Sequence, residues 1–195
     1  MRKLSVEFTG ALSLAVIDEY YSSVREAIRT KYSDTLNINY LADFFGRSSR
    51  SVEEERDKAY EELEKEATLC LLSYMESVFR TDFIMRCELK KKDKLAMLFR
   101  KTYSPSKRKY QYGFKDVVIS SWKEVHPSKT DTFNRILEMM EFRNWLAHGR
   151  YWAFKDNLNK YTYEAVHSVI EAFENAFNEQ LQRPSMIGIP LPFIE

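Results

Sequence analysis

Apolar residues recur along most of the chain at intervals of three and four, the spacing that places side chains on one face of an α-helix. Few segments interrupt this pattern, so the sequence predicts an all-α protein. The predicted helices cover roughly residues 10–31, 35–45, 51–85, 92–101, 114–124, 130–148 and 162–182.

The apolar stripes within these helices indicate which faces enter the core. In the third helix, the sequence ATLCLLSYMESVF over residues 67–79 is apolar on most sides, so we predict the central core helix there. The first half of the same helix is charged, which is typical of a surface. The predicted inward residues are Leu12, Val16, Tyr20, Val24 and Ile28 in the first helix and Val166, Ile170, Phe173 and Phe177 in the last.

The segments between helices carry residues that end or begin helices. Gly46 is placed to end the second helix, and Ser51 is a candidate N-cap because acids follow it in the first turn. We therefore expect a bundle of up-and-down helices with additions at both ends. The predicted parts are an N-terminal helical extension over residues 1–50, a helical bundle over 51–183 and an extended C-terminal tail over 184–195.

The composition narrows the class of protein further. The chain has 195 residues, 44% of them apolar and 30% charged, with only five Gly and five Pro, which suits a helical globular protein. No apolar stretch reaches the roughly 18 residues of a membrane span, and we expect neither a signal peptide nor a membrane partner. The two cysteines, Cys70 and Cys87, lack metal-ligand spacing. Free thiols in a reducing cytoplasm are the simplest interpretation.

One stretch of the chain is strongly basic, although the net charge is only +1. Residues 86–115 carry eleven basic side chains against two acids, with Phe99, Tyr103, Tyr110 and Tyr112 interleaved. Such a stretch can track phosphates while its aromatic rings stack on bases. The alternative is a solvated basic face with ordinary core aromatics. The candidate RNA-binding residues here are Lys90, Lys91, Lys92, Lys107, Arg108 and Lys109.

Two charged residues fall on apolar stripes. Glu76 lies four residues after Leu72 and three before Phe79, and Arg143 has apolar neighbours at helical spacing on both sides. An unpaired charge at such a position is costly, so each side chain needs a partner or a wet cleft. Arg80, one turn after Glu76, is a local candidate, and a pair between Glu76 and Arg143 is the alternative.

The stretch EFRNWLAHGRYW over residues 141–152 carries the candidate chemistry. Arg143 and His148 lie in the last turns of a predicted helix, Asn144 precedes His148 by four positions, and Gly149 is placed to end the helix. A histidine there can move protons for attack of an RNA 2′-hydroxyl or for the leaving 5′-oxygen, while an arginine stabilises the negative phosphate. The alternative is a capping histidine without chemistry.

The sequence RNWLAHG resembles the motif of the HEPN superfamily, small α-helical domains that carry an arginine and, four to six residues later, a histidine. Asn144 directly after Arg143 matches the commonest form of that motif. Ala147, His148 and Gly149 match the ending of many members. In this extended form on a late helix, the motif is moderately specific.

The resemblance extends to an earlier helix. The sequence LCLLSYMESVFRTDFIMRCE over residues 69–88 looks like the core helix that bears an acid in that family, with Glu76 as the acid. In all, the resemblance covers roughly residues 65–182. It implies an antiparallel helical bundle that forms a homodimer, in which the motifs of two subunits face a shared positive cleft.

The resemblance also implies roles for the residues of the motif. Many members are metal-independent endoribonucleases, often toxins of toxin–antitoxin pairs or effectors of phage defence. Carried over to this chain, Arg143 and His148 are catalytic, Asn144 orients, and Glu76 positions Arg143. No metal or other cofactor is expected, since His126 and His167 show no metal-ligand pattern.

One subgroup of the family has a tyrosine two residues after the histidine, which a partner nucleotidyltransferase modifies. This chain has Arg150 at that position and Tyr151 one later, so the mismatch puts this form of regulation in doubt. Arg150 is instead a candidate phosphate contact, and Tyr151 joins the candidate RNA-binding residues.

The sequence thus favours a cytoplasmic, homodimeric endoribonuclease that acts on RNA with no metal, with a cognate antitoxin or a nucleotidyltransferase as a candidate partner. One alternative is a non-catalytic HEPN-like module that binds RNA or a nucleotide. A second alternative is a helical domain that binds other proteins. The charged half-helix over residues 52–66 and the apolar tail over residues 184–195 favour this alternative.

Overall fold

The computed structural model describes residues 12–33, 38–103 and 112–183. These residues form seven α-helices and no β-strand, which confirms the all-α prediction. The HEPN-like arrangement of the helices stays a prediction. The α-helices are α1 (Leu14–Ser33), α2 (Ile38–Phe44), α3 (Ser49–Glu88), α4 (Lys94–Thr102), α5 (Ser120–Val125), α6 (Thr130–Ala147) and α7 (Tyr163–Phe177).

Three short helical segments join these elements. A π-helix over Phe114–Ile119 leads into α5, where the sequence predicts one α-helix. Single 3₁₀ turns over Pro127–Lys129 and Leu158–Tyr161 precede α6 and α7. The predicted RNA-binding residues Lys107, Arg108 and Lys109, like the predicted tail 184–195, lie outside the described residues.

The described residues group into two compact units by their contacts. Residues 12–72 and 142–169 form the first, which we call the motif unit because it contains the motif of α6. Residues 73–141 and 170–183 form the second, which we call the core-helix unit. The boundary falls within α3, α6 and α7. The predicted division at residues 50 and 183 stays a prediction.

An aromatic cluster fills the core-helix unit. Phe79 of α3 is fully buried, and its ring centroid lies 4.7 Å from Phe173 and 5.8 Å from Trp122. The buried residues Ile170, Phe173 and Phe177 confirm the predicted inward stripe of α7 in this unit. The second half of α3 is the core helix that the sequence predicts, and its buried residues include Ala67, Leu71, Leu72, Met75 and Phe79.

A buried ion pair lies near the C-terminal end of α3 in the same unit. The Arg86 Nε atom is 2.9 Å from each carboxylate oxygen of Asp82, and Arg86 Nη1 is 2.7 Å from Asp93 Oδ1. Arg86 Nη2 also donates to the Gln180 carbonyl, and the Gln182 amide donates to Asp82 Oδ1 at 2.8 Å. These contacts hold the backbone after α7 outside a helix, so α7 ends at Phe177 where the sequence predicts about 182.

In the motif unit, α1 buries a different stripe from the predicted one. Ile17 and Tyr21 are buried, whereas Leu12, Val16 and Tyr20 are each about half exposed, so the prediction for these three was wrong. The reason is Tyr21, whose ring stacks 3.8 Å from that of Tyr163 and whose hydroxyl donates to Glu64 of α3. Two stripes of α1 have helical spacing, and these tertiary contacts select the one that contains Tyr21. The other two residues of the predicted α1 stripe, Val24 and Ile28, are half-buried. Val166, the first predicted inward residue of α7, is buried.

The ends of α2 and α3 are set by local groups. Gly46 has φ +73°, the left-handed conformation that glycine adopts easily, and it follows α2 as predicted. The N-cap of α3 is Ser48, whose Oγ accepts a hydrogen bond from the Ser51 amide at 3.2 Å. The prediction of Ser51 as the cap was therefore wrong by three residues. Ser51 lies in the first turn, and its Oγ accepts from Arg47 Nη2 at 3.1 Å.

Candidate functional site

The C-terminus of α6 fixes the backbone of the predicted motif. The Gly149 amide donates to the Leu146 carbonyl at 3.3 Å, and the Arg150 amide donates to the Trp145 carbonyl at 3.1 Å. This pair of bonds is a Schellman motif, with Gly149 at φ +81° as the C′ residue. The predicted role of Gly149 is confirmed. His148 is the last residue before the turn, and its side chain is exposed.

Arg143 and Asn144 contact each other one turn earlier. Arg143 Nη1 donates to Asn144 Oδ1 at 3.1 Å, and the Asn144 carbonyl accepts the His148 amide at 3.0 Å. Arg143 is half-buried with its Nε atom enclosed, whereas Asn144 is exposed. A guanidinium bonded in this way has less rotational freedom, which suits a group that must meet a phosphate in one orientation.

The connection after α6 folds back onto the last turns of that helix. The Phe142 ring lies 5.5 Å from Trp145, 5.2 Å from Phe154 and 4.5 Å from Tyr161, measured between centroids. The buried Trp145 indole also donates from Nε1 to the Trp152 carbonyl at 2.7 Å. Because this cluster anchors both ends of the connection, residues 150–153 are held beside His148.

Two aromatic side chains of this connection face solvent next to the histidine. Tyr151 is 82% exposed and Trp152 is 39% exposed. Their ring centroids lie 4.6 Å apart at an interplanar angle of 79°, and the Trp152 ring lies 6.5 Å from the His148 ring. The structure therefore brings the predicted residues His148 and Tyr151 to one surface. Trp152 completes this surface and was not among the predicted site residues.

Arg150, a predicted phosphate contact, forms an ion pair across the motif unit. Its Nη1 atom lies 2.9 and 2.7 Å from the two carboxylate oxygens of Glu62 in α3. Lys65 Nζ also lies 2.8 Å from Glu62 Oε1. Hydrogen bonds from Lys65 and Arg150 lower the pKa of Glu62, so this carboxylate stays charged and is balanced by two cations.

Glu76, the predicted positioning acid, lies in the core-helix unit and has the local partner that its spacing suggested. Arg80 Nε is 2.7 Å from Glu76 Oε1, and Arg80 Nη1 donates to the Tyr112 carbonyl at 3.2 Å. The alternative that places Arg80 beside Glu76 is thus confirmed. The role of Glu76 towards Arg143 stays a prediction.

The basic stretch divides into core and surface residues. Phe99 and Tyr112 are buried, where they pack on Phe83 at centroid distances of 4.8 and 5.0 Å. For these two rings the core interpretation is confirmed, and a role in stacking on bases is wrong. The buried Arg86 belongs to the ion pair with Asp82, whereas the predicted RNA-binding residues Lys90, Lys91 and Lys92 are exposed after α3.

Sequence reasoning missed Trp152 and Glu62 for different reasons. Trp152 had a signal, since a second aromatic residue directly follows Tyr151 and the Arg–His motif lies just before them. Glu62 had none, because it lies 88 residues before Arg150 in a charged helix that contains many acids. Only the folded chain shows which acid of α3 pairs with Arg150.

Within the ranges that the structure describes, no cluster of three or more His, Cys, Asp or Glu side chains could hold a metal ion. None of the helices in those ranges is long and apolar enough to cross a membrane. Comparisons of the chain with protein-family models, with curated proteins and with solved structures found no match.

Proposed function

We propose that this protein is a metal-independent endoribonuclease that cleaves unpaired RNA at the motif of α6. The observation that carries the proposal is the exposed His148 at the end of α6, one turn after the bonded pair Arg143 and Asn144. His148 supplies a group that can transfer protons and Arg143 supplies a cation from the same helix, and the resemblance to the HEPN motif rests on the same three residues.

The proposed reaction needs only the groups of the protein and the RNA. The ribose 2′-oxygen forms a bond to the adjacent phosphorus atom, and the bond from phosphorus to the 5′-oxygen breaks. His148 takes the 2′-hydroxyl proton or supplies one to the leaving 5′-oxygen, and Arg143 stabilises the charge on the phosphate oxygens. The products are a 2′,3′-cyclic phosphate and a 5′-hydroxyl end.

A homodimer is part of this proposal. Two copies of the motif facing one cleft supply two histidines, so that one accepts a proton while the other donates one. The exposed residues Lys90, Lys91 and Lys92 add to the positive charge that RNA needs.

The test is an RNA cleavage assay in EDTA that compares the wild type with Arg143→Ala and His148→Ala. We expect the wild type to leave 2′,3′-cyclic phosphate ends, and each variant to lose about 10²-fold or more in rate. His167→Ala is the matched control, because His167 lies in the same unit and contacts Asp18 at 3.1 Å. Cleavage that survives in His148→Ala, or that stops equally in the control, would contradict the assignment.

In the cell, we propose that the protein acts as a toxin or a phage-defence effector, with a cognate antitoxin or a nucleotidyltransferase as its partner. Expression of the wild type should then slow growth, and His148→Ala should relieve the effect. Equal toxicity of the two proteins would count against it. Arg150 occupies the position of the modified tyrosine and is paired with Glu62, so we favour an antitoxin over a nucleotidyltransferase.

The second candidate is a non-catalytic module that binds RNA. The exposure of His148, Tyr151 and Trp152 favours it, since such a surface can contact RNA without chemistry. RNA binding that survives Arg143→Ala and His148→Ala, together with intact RNA in the wild-type reaction, would identify this function.

A further inference from the structure

Trp152 is an unusual tryptophan in this protein. The other two, Trp122 and Trp145, are buried at 0% and 8% exposure, whereas Trp152 keeps 39% of its surface in contact with solvent. Its neighbour Tyr151 is 82% exposed. Large aromatic side chains normally contribute their area to a core, so two exposed ones in sequence indicate a surface that binds something.

This exposed pair is held in place rather than carried on a free loop. The Trp152 carbonyl accepts the Trp145 indole N–H at 2.7 Å, and the preceding Arg150 is tied to Glu62 at 2.7 Å. Phe154, two residues later, packs 5.3 Å from Trp145. A surface that is ordered before binding loses less conformational entropy when a ligand arrives.

The position of Trp152 relates it to the proposed chemistry. Its ring lies 6.5 Å from His148 at an interplanar angle of 36°. The Glu62 carboxylate is paired with Arg150 at 2.7 Å and with Lys65 at 2.8 Å, and Lys65 also lies 3.8 Å from Glu61. A base that stacks on Trp152 therefore brings its own ribose and phosphate towards His148, with no uncompensated carboxylate from Glu62 to repel that phosphate.

We propose that Trp152, with the Tyr151 ring roughly perpendicular to it, forms a stacking subsite for one unpaired nucleobase next to the phosphate that His148 serves. The statement about that phosphate rests on the proposed function, whereas the stacking itself does not. Bases in a duplex have both faces covered by their neighbours, so the subsite selects single-stranded RNA or the loop of a hairpin. Stacking of a base on one aromatic side chain changes affinity about 5- to 150-fold.

Binding is measured in the His148→Ala background, so that RNA is not cut during the titration. The probe is a fluorescent single-stranded RNA oligonucleotide, compared with the same strand in a duplex and with versions that carry one abasic position at a time. In this background we add Trp152→Ala, Trp152→Phe and, as the matched control, Tyr20→Ala. Tyr20 is an aromatic residue of the same unit with 47% exposure.

We expect Trp152→Ala to raise the Kd for the single strand about 5- to 150-fold, Trp152→Phe to restore most of the affinity, and Tyr20→Ala to change nothing. One abasic position should weaken binding to Trp152-containing protein but not to Trp152→Ala. The Trp152→Ala protein should fold, because the Trp145 indole bonds the backbone carbonyl of residue 152 and not its ring. An unchanged thermal melting midpoint by circular dichroism checks this.

The two proposals fail in different ways. If the wild type leaves RNA intact in EDTA while single-strand binding still depends on Trp152, the endoribonuclease proposal is wrong and the stacking subsite stands. If the wild type cleaves RNA while Trp152→Ala leaves binding unchanged in the His148→Ala background, and the single variant Trp152→Ala with His148 intact cleaves RNA as fast as the wild type, the subsite is wrong. A protein that binds no single strand, or binds duplex equally well through Trp152, also overturns the subsite.

Discussion

The buried ion pair between Arg86 and Asp82 offers a quantitative test of the structure. Asp82 is fully buried, and its neighbours are Arg86 and the Gln182 amide. We consider Arg86→Met, which keeps a long apolar stem and removes the guanidinium. The substitution leaves the carboxyl group with the Gln182 amide as a donor, and it also removes the contacts of Arg86 with Asp93 and the Gln180 carbonyl. Removing one partner of a buried pair costs about 3–5 kcal/mol, so we expect a loss of that size at neutral pH.

The loss should depend on pH in a defined direction. Burial raises the pKa of Asp82 to about 6, although the Arg86 guanidinium and the Gln182 amide act in the opposite sense. A carboxyl group with a raised pKa stabilises the fold most when it is neutral, so its contribution is present below the unfolded pKa of about 3.9 and is lost as the pH rises through the folded value. Without Arg86 the folded pKa of Asp82 rises further. Wild-type Asp82 is already half ionised at pH 6 and itself loses about 0.4 kcal/mol between pH 6 and pH 7, so the destabilisation of the variant relative to the wild type should grow by up to about 1 kcal/mol over that interval.

The assay is urea unfolding followed by far-ultraviolet circular dichroism at pH 5, 6 and 7. The matched control is the double variant Arg86→Met with Asp82→Asn, which replaces the carboxyl group by a neutral amide that still accepts from Gln182. At pH 7 the double variant should be more stable than Arg86→Met by about 1–3 kcal/mol, and its stability relative to the wild type should vary less with pH. The reasoning is refuted if Arg86→Met costs less than about 1 kcal/mol at pH 7, or if the double variant is no more stable than the single one.

Three further predictions follow from single side chains. Ser48→Ala removes the N-cap of α3 and should lower the free energy of unfolding by about 1 kcal/mol, measured by urea unfolding. The control Ser49→Ala should stay within about 0.5 kcal/mol of the wild type. Equal losses in the two variants would contradict the assignment of Ser48 as the cap. Burial raises the pKa of the Cys87 thiol to about 12, and Cys70 is only half-buried, so iodoacetamide should label Cys70 first and Cys87 only on unfolding. Equal labelling rates by mass spectrometry would show that Cys87 is not enclosed. Burial and a neighbouring guanidinium lower the pKa of His126, so its contribution to stability is present above the unfolded pKa of about 6.5 and is lost as the pH falls through the folded value. His126→Phe should lose less stability than the wild type between pH 7 and pH 5, and an identical pH dependence of the two proteins would refute this.

The sequence alone predicted the helices well because helix formation depends on neighbours within four residues. The core segment of α3, the inward residues Phe173 and Phe177 of α7, and the glycine that ends α6 all follow from spacing and residue type. The predictions of helix ends and buried faces were wrong where two neighbouring residues or faces suit the same role equally well. Both Ser48 and Ser51 are suitable N-caps, and only the start of the helix in the folded chain decides between them.

The buried face of α1 was also predicted wrongly because two faces of this helix suit burial equally well. Two apolar stripes share helical spacing, and the one with Tyr21 enters the core because that ring stacks on Tyr163 and its hydroxyl reaches Glu64. Tyr163 and Glu64 lie on other helices, so no periodicity within α1 records them. Tertiary contacts also end α7 early, since Asp82 and Arg86 bind the backbone after Phe177.

For the candidate site, the sequence determined the chemistry that is present: Arg143, Asn144 and His148 at a spacing that resembles a known motif, with Gly149 to end the helix. Tertiary structure decided what surrounds these groups. The aromatic cluster beneath α6 holds Trp152 beside His148, and Arg150 pairs with an acid 88 residues earlier in the chain. Sequence patterns report on residues that share a helical turn, whereas these contacts join segments that meet only when the chain has folded.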